Sequence, residues 1–506
     1  MDEKSGLKLS CEQQVLNINM QGDPHALHPH LGIDLNCRSV QKALYEGLTR
    51  ISPNAVVELA LAQKVSISED HTVYTFTLRP SLWSNGEKVT AFHFEKAWKS
   101  ALNPVSGCLR ADLFYVIKNA KKAKKRLAPF DQVGIHALDD STLVVELENP
   151  TPYFLDLLSL PIFAPLWDAS TDPKVFNGPF VVASWDHEKC LTLERNSQYW
   201  DVEHVELRKI VFSLVHDPNT AFLMYEKNEL DWAGSPFTML PPDVIPPLEQ
   251  QHLIKTQPVA GVYWFCLNTQ QFPLTSAKIR KSLSLAIDRD AIAKHVLYGE
   301  TPSHSLMPLN FQLIEPVEHN LDRDIVLARK YFEEGLQELN ITKEKFPRLQ
   351  LSHNDVPGQK KLAETVAVQW KKILGIDVDL LGAEWNAFFD SLGSRQYQIG
   401  GCIWFSTFND PICTLSFFKD RTHRYNAPQW ENARYKELLD LADNTIDLNV
   451  RREYLKEAEL ILLEEAPVIP VFISHHKYVS HDYVKGIYIA PTGLIDFKWS
   501  SIDIVN

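Results

Sequence analysis

Apolar positions along this chain recur at two periods, and the period names the element. Alternation at every second residue marks Val15–Met20 (VLNINM) and Thr72–Leu78 (TVYTFTL) as half-buried strands, the latter rich in β-branched and aromatic residues. Thr142–Leu147, Lys209–Val215 and Tyr263–Leu267 also read as strands, and Val468–Ile473 as an apolar strand. Gly178–Trp185 and Cys190–Glu194 flank Asp186–Lys189 and predict a hairpin. Helical spacing places Val40, Ala43, Leu44 and Leu48 on one face of a short helix over Ser39–Leu48. Further helices are expected at Ala91–Ala101, Pro218–Lys227, Lys278–Ile287, Arg289–Leu297, Ile325–Gln337, Gln359–Leu374, Trp430–Asp443 and Val450–Glu465.

Punctuation supports these boundaries. Asn85-Gly86 is a turn dipeptide, Thr90 is an N-cap for the helix that follows, and Asn103-Pro104 ends it. Strands and helices come in interleaved blocks, without a strict βαβ repeat, an internal repeat or a low-complexity linker. The fold class expected is α/β, with intimately joined lobes.

Composition narrows the function. The 506 residues are 45% hydrophobic, enough for sizeable cores and too much for a disordered chain. A net charge of −13 leaves no global basic footprint for nucleic acid. The one dense basic run, Lys118 to Arg126, reads as a solvated surface segment. The most apolar stretch, Tyr153 to Trp167, is broken by Asp156, Ser159, Pro161 and Pro165 and is no membrane span. The amino terminus, MDEKSGLKLSCEQQ, has no apolar segment of the secretory kind. Seven scattered cysteines without a C-x-x-C indicate neither a disulfide scaffold nor a zinc ribbon, so most are expected to be buried free thiols.

Catalytic signatures are missing. The chain contains no phosphate-binding glycine loop, no H-E-x-x-H and no G-x-S-x-G, and no carboxylate spacing singles out an acid/base pair, so no enzyme is expected. One cluster carries a metal reading: His25, His28 and His30, in DPHALHPH, put three imidazoles in six residues. The plainer reading is a surface loop with incidental histidines. His475 and His476 are adjacent and in a strand would face opposite ways, which disfavours chelation of one ion.

Six segments in order carry a resemblance: LYEGLTR (Leu44–Arg50), YTFTLRPSLWSNGEKVTAFHFEKAW (Tyr74–Trp98), NGPFVVASWD (Asn177–Asp186), LERNSQYWD (Leu193–Asp201), IRKSLSLAIDRDAI (Ile279–Ile292) and PVIPVF (Pro467–Phe472). Together they resemble the peptide/nickel family of solute-binding proteins that feed ABC importers, and its oligopeptide-binding members most. The resemblance implies a two-lobed "flytrap" with an inserted domain: lobe one from 14–42, 170–258 and 480–506, the insert 43–169, and lobe two 259–479. It implies a non-catalytic monomer without cofactor that encloses a short peptide between its lobes and delivers it to a membrane permease. The location it implies is periplasmic, with Cys11 the candidate for lipid attachment. Within the same fold a nickel chelate or haem is the alternative ligand, and a peptidase or a chaperone is the alternative activity.

The resemblance also implies site residues. Trp404 and Trp385 match tryptophans that line the family's cleft, with Phe405 beside the first. Tyr263 and Trp264 match aromatics on the strand entering lobe two, and alternation turns one to the cleft and the other to the core. Asp23 falls where relatives carry a glutamate near the ligand, and serves equally well as a turn residue before Pro24; Ser235 completes the set. Three departures stand out. Thr407 replaces the aspartate that holds a peptide's ammonium, with Asp410 three residues further on; Gly401 replaces an arginine and Gln359 a histidine on the carboxylate side. Arg110 stands in place of a cleft tyrosine. Loss of the charged anchors points to an atypical or acidic peptide, such as a murein tripeptide, that uses Arg110.

Overall fold

The computed structural model describes residues 14–503 except 169, 298 and 309–322. Cys11 lies outside the described residues. The chain forms two compact units, one made by residues up to Gln257 together with those from His476, the other by Pro258–His475.

In the first unit β1 (Val15–Met20) is the strand its alternation predicts. The helix after it, α1 (Leu35–Leu44), begins four residues before the expected start, because Asp34 caps it and accepts from the Cys37 amide at 2.9 Å. It also ends early. The Leu44 carbonyl accepts from the Gly178 amide and the Glu46 amide donates to Asn177 Oδ1, so the segment predicted as the last turn is extended. β2 (Ala62–Ile67), β3 (Val73–Leu78), β4 (Ile135–Ala137) and β5 (Thr142–Glu146) form a separate antiparallel sheet in the order β2-β3-β5-β4. Against it lies α2 (Ala91–Leu102), opened by a Thr90/His93 capping box and held by Trp98, whose Nε1 donates to the Phe163 carbonyl at 2.8 Å.

β6 (Phe180–Asp186) and β7 (Cys190–Arg195) make the expected hairpin, and its turn residue Glu188 sits at φ 62°. β8 (Lys209–Leu214) pairs antiparallel with β7 and parallel with β1, matching Val15 to Lys209 and Met20 to Leu214. β9 (Trp232–Gly234) flanks β1 on its other edge, also parallel.

The second unit is entered through β10 (Lys255–Leu267), which is much longer than its apolar end suggested. Its sheet runs β12-β11-β13-β10, with β11 (Leu349–Asn354), β12 (Val378–Ala383) and β13 (Ile399–Phe405). β11 is parallel to both neighbours, and β13 is antiparallel to β10. Helices Ala277–Leu285, Ile325–Glu338 and Pro357–Leu374 cover one face, and their Leu283, Phe332, Val366 and Trp370 join Tyr263, Phe265, Leu351 and Ile399 in one core. Fully burying each such side chain contributes about 1.5–3 kcal/mol. The chain leaves along β14 (Val468–Ser480), whose last residues return to the first unit and pair antiparallel with β9. Adjacent His475 and His476 part here as alternation requires: His475 meets Glu300 in the second unit, and His476 meets the Gly493 carbonyl in the first.

The six described cysteines are unbridged, and four of them, Cys37, Cys266, Cys402 and Cys413, are buried. Among the described residues no helix is long and apolar enough to cross a membrane.

Candidate functional site

Alternation along β10 and β13 sorts the second unit's aromatics. Tyr263 and Phe265 point into the core, whereas Trp264 lies on the opposite face and stacks on Trp404, ring centroids 5.5 Å apart and planes 7° apart. The helix Trp385–Gly393 brings Phe389 to 6.0 Å from Trp404, and Trp385 stacks on Phe389 at 5.3 Å while 43% exposed. Phe417 and Tyr425 close the other side at 5.8 and 5.9 Å. The result is a partly exposed aromatic wall around Trp404. Beside it is a niche lined by Phe389, Asp390, Trp404, Arg424 and Tyr425, one acid and one base among rings. The Trp404 Nε1 is buried without a hydrogen-bond partner among the described residues, a donor that gains from meeting an acceptor.

The expected residues divide around this wall. Trp404, Trp385 and Trp264 belong to it. Phe405, 37% exposed at the end of β13, lays its ring over Gly261, where an added Cβ would come within 2.6 Å of it. Tyr263, in contrast, is spent in the core. Gly401 is on Tyr263's side of the sheet: a Cβ there would lie 2.6 Å from Phe265 and against the Tyr263 hydroxyl, so its place is set by close packing and a long side chain has no room. Thr407 is buried just past β13, and its amide donates to Cys413 Sγ at 3.1 Å. Asp410 does not substitute for an anchor. Both its oxygens accept from Arg451 at 2.8 Å in a pair almost wholly buried, so the charge is matched internally. Gln359 sits in the first turn of Pro357–Leu374, its Oε1 buried and without a hydrogen-bond partner among the described residues.

The first unit holds the others. Asp23 accepts from Trp185 Nε1 at 2.6 Å and from the Glu188 amide at 2.8 Å, so its carboxylate clasps the β6–β7 hairpin. Of its two readings, the structural role is the one its bonds show. Ser235 follows β9, its carbonyl accepting from Trp232 Nε1 and its amide donating to Lys477. Arg110 donates to both oxygens of Asp112 at 2.9–3.2 Å, so this cation already has a counter-ion.

The three-histidine metal reading is corrected. His28 and His30 are buried, edge to face at 5.1 Å, while His25 is exposed and lies 3.3 Å from Asp34. The loop is no bland surface loop either, since two of its three rings are interior. Burial pushes the His30 imidazole down to about 3, with the nearby His28 adding to it, and burial likewise lowers His28. The residues that pattern reading missed are Asp390, Arg424, Phe389 and Tyr425, which line one niche. Their signal was the aromatic density of AFFD and HRYN, which only the fold brings together.

Comparison with known proteins gives the family. Residues 56–426 match the model of the bacterial extracellular solute-binding proteins, family 5 Middle. The chain is 38% identical to the oligopeptide-binding protein OppA of Bacillus subtilis, over 97% of this chain and 93% of that protein. It is 32% identical to the dipeptide-binding protein DppE of the same organism, over 96% and 92%. A periplasmic oligopeptide-binding protein of Borrelia burgdorferi superposes with a TM-score of 0.83 at 29% identity, covering 96% of this chain and 99% of that one. The chain therefore belongs to the bacterial extracellular solute-binding proteins of family 5.

Proposed function

We propose that the protein is a non-catalytic, extracytoplasmic receptor that captures short peptides and hands them to a membrane ABC importer. The observation that carries this reading is the aromatic wall around Trp404, in a chain that resembles oligopeptide- and dipeptide-binding proteins over almost its whole length. Stacked rings offer apolar contact to any side chain, and a niche with Asp390 and Arg424 offers polar contact of either sign. Such a surface suits a ligand class defined by its backbone rather than by one sequence. In this reading the receptor is a monomer without cofactor, and residues 43–169, which carry the separate β2–β5 sheet, are its inserted domain.

The test is calorimetric titration with short peptides of mixed sequence. Trp404→Ala is expected to weaken binding by about 2 kcal/mol or more, as for a central aromatic contact. Unchanged affinity, or no peptide bound by the unaltered protein, overturns the reading.

A narrower form of the proposal concerns ligand chemistry. With Thr407, Gly401 and Gln359 in place of charged anchors, the ligand is an atypical or acidic peptide, such as a murein tripeptide. Because Asp112 already neutralises Arg110, this form requires the pair to open. Arg110→Ala is then expected to weaken acidic peptides selectively, and an equal effect on all peptides overturns it.

A further inference from the structure

The loop between β1 and α1 carries a cluster that the peptide-binding reading does not use. Asp34 is the N-cap of α1 and Cys37 lies three residues on, in its first turn, which sets both at the same end of the helix. The loop brings His25 to them: its Nε2 is 3.3 Å from Asp34 Oδ2 and its Nδ1 is 3.9 Å from Cys37 Sγ. One ligand atom from each residue lies within 4.8 Å of the other two. Around a tetrahedral zinc ion, bond lengths of about 2.0–2.3 Å give ligand–ligand edges of about 3.3–3.7 Å. The exposed imidazole needs only to turn so that one nitrogen faces the other two atoms.

Two further features mark a built site. The Asp34 oxygens have divided roles: Oδ1 caps the helix, and Oδ2 is buried with no hydrogen bond among the described residues, 3.3 Å from His25 Nε2. The loop itself is fixed from behind by Gln41, fully buried on α1, whose Nε2 donates to the carbonyls of Ala26, His28 and Gly32 at 3.1–3.3 Å. Outer bonds of this kind hold ligands in place before the ion arrives. His25, with Asp172 and His187, also lines a cavity of about 590 Å³.

We propose that His25, Asp34 and Cys37 bind one divalent ion of the zinc class, which clips the loop to the start of α1. The donor set decides the class. One imidazole nitrogen, one carboxylate oxygen and one thiolate suit borderline-soft Zn²⁺ or Co²⁺, whereas Ca²⁺ and Mg²⁺ take oxygen shells. Carboxylate and thiolate together neutralise the dication, and three protein ligands leave a fourth position for water.

The experiment uses the purified full chain, stripped with chelator and titrated with Co²⁺ and then Zn²⁺, with no peptide present. The expected result is one equivalent of Co²⁺ with a sulfur-to-cobalt charge-transfer band, displaced by Zn²⁺, and a higher melting temperature with either ion. The band is expected to vanish in Cys37→Ser. His25→Ala, an exposed change that leaves packing intact, is expected to weaken binding at least about tenfold, the lower end of the loss for even an outer partner of a ligand. Absence of the band, its survival in Cys37→Ser, or unchanged affinity in His25→Ala each overturns the proposal.

Discussion

A histidine taken out of water gives up its charge, and His30 shows the consequence at the scale of one residue. Its ordinary value of 6.5 falls to about 3 in the folded chain because burial penalises the imidazolium, with the His28 and Lys124 charges adding to the effect. Between those values the unfolded chain binds a proton that the native chain does not. Stability therefore rises with pH across this window and is lost as pH falls below 6.5, by up to about 1.4 kcal/mol per unit. Urea unfolding at about pH 7 and about pH 5 is expected to show this slope, and His30→Gln is expected to flatten it. Parallel slopes in the two proteins would show that the imidazole charges without cost. None of this was legible in DPHALHPH, where three histidines differ only by neighbours; burial, which separates them, is not a local property. Asp23 is a similar case: a turn residue and a ligand contact look alike until the Trp185 and Glu188 donors are in place.

Elements show the same division. β1 and the β6–β7 hairpin were readable because alternation and turn residues lie within a few positions of one another. β13 was not, since Gly400 and Gly401 have no side chains to show a period, and the strand exists because β10 and β11 pair with it. Its glycines are a packing device. Gly401 gives Phe265 and Tyr263 room on one face while Trp404 projects from the other, so the core and the aromatic wall depend on one strand. Gly401→Ala is expected to cost about 1–3 kcal/mol in chemical denaturation, as overpacked cores do. An unchanged midpoint would mean that Tyr263 can move aside.

The whole chain shows why its ends cannot be read apart. In the first unit Arg50 donates to Asp496 at 2.7 and 2.8 Å and to Glu46 at 2.8 Å, all nearly fully buried, so residues 446 positions apart share one ion cluster. Burial alone would raise the Asp496 carboxyl, but the Arg50 charge and hydrogen bonds outweigh it and hold it below 3.8. Its contribution is present above 3.8 and is lost as pH falls through the lower native value. Asp496→Asn leaves Arg50 under-neutralised, and a loss of about 3–5 kcal/mol is expected in urea unfolding at neutral pH. A loss below about 1 kcal/mol would show that Glu46 suffices as counter-ion.

By itself the sequence determined most of the helices, the alternating strands and the family, because local periodicity and ordered motifs survive without coordinates. Only tertiary structure decided which aromatics form the wall, that Asp410 is spent on Arg451 and Arg110 on Asp112, and that His25 sits with Asp34 and Cys37 rather than with His28 and His30. The physical reason is common to all of these. Whether a charge, a ring or a thiol is available depends on what lies within a few ångströms of it, and the fold settles that whether the neighbour is two residues away, as Asp112 is from Arg110, or far along the chain, as Arg451 is from Asp410.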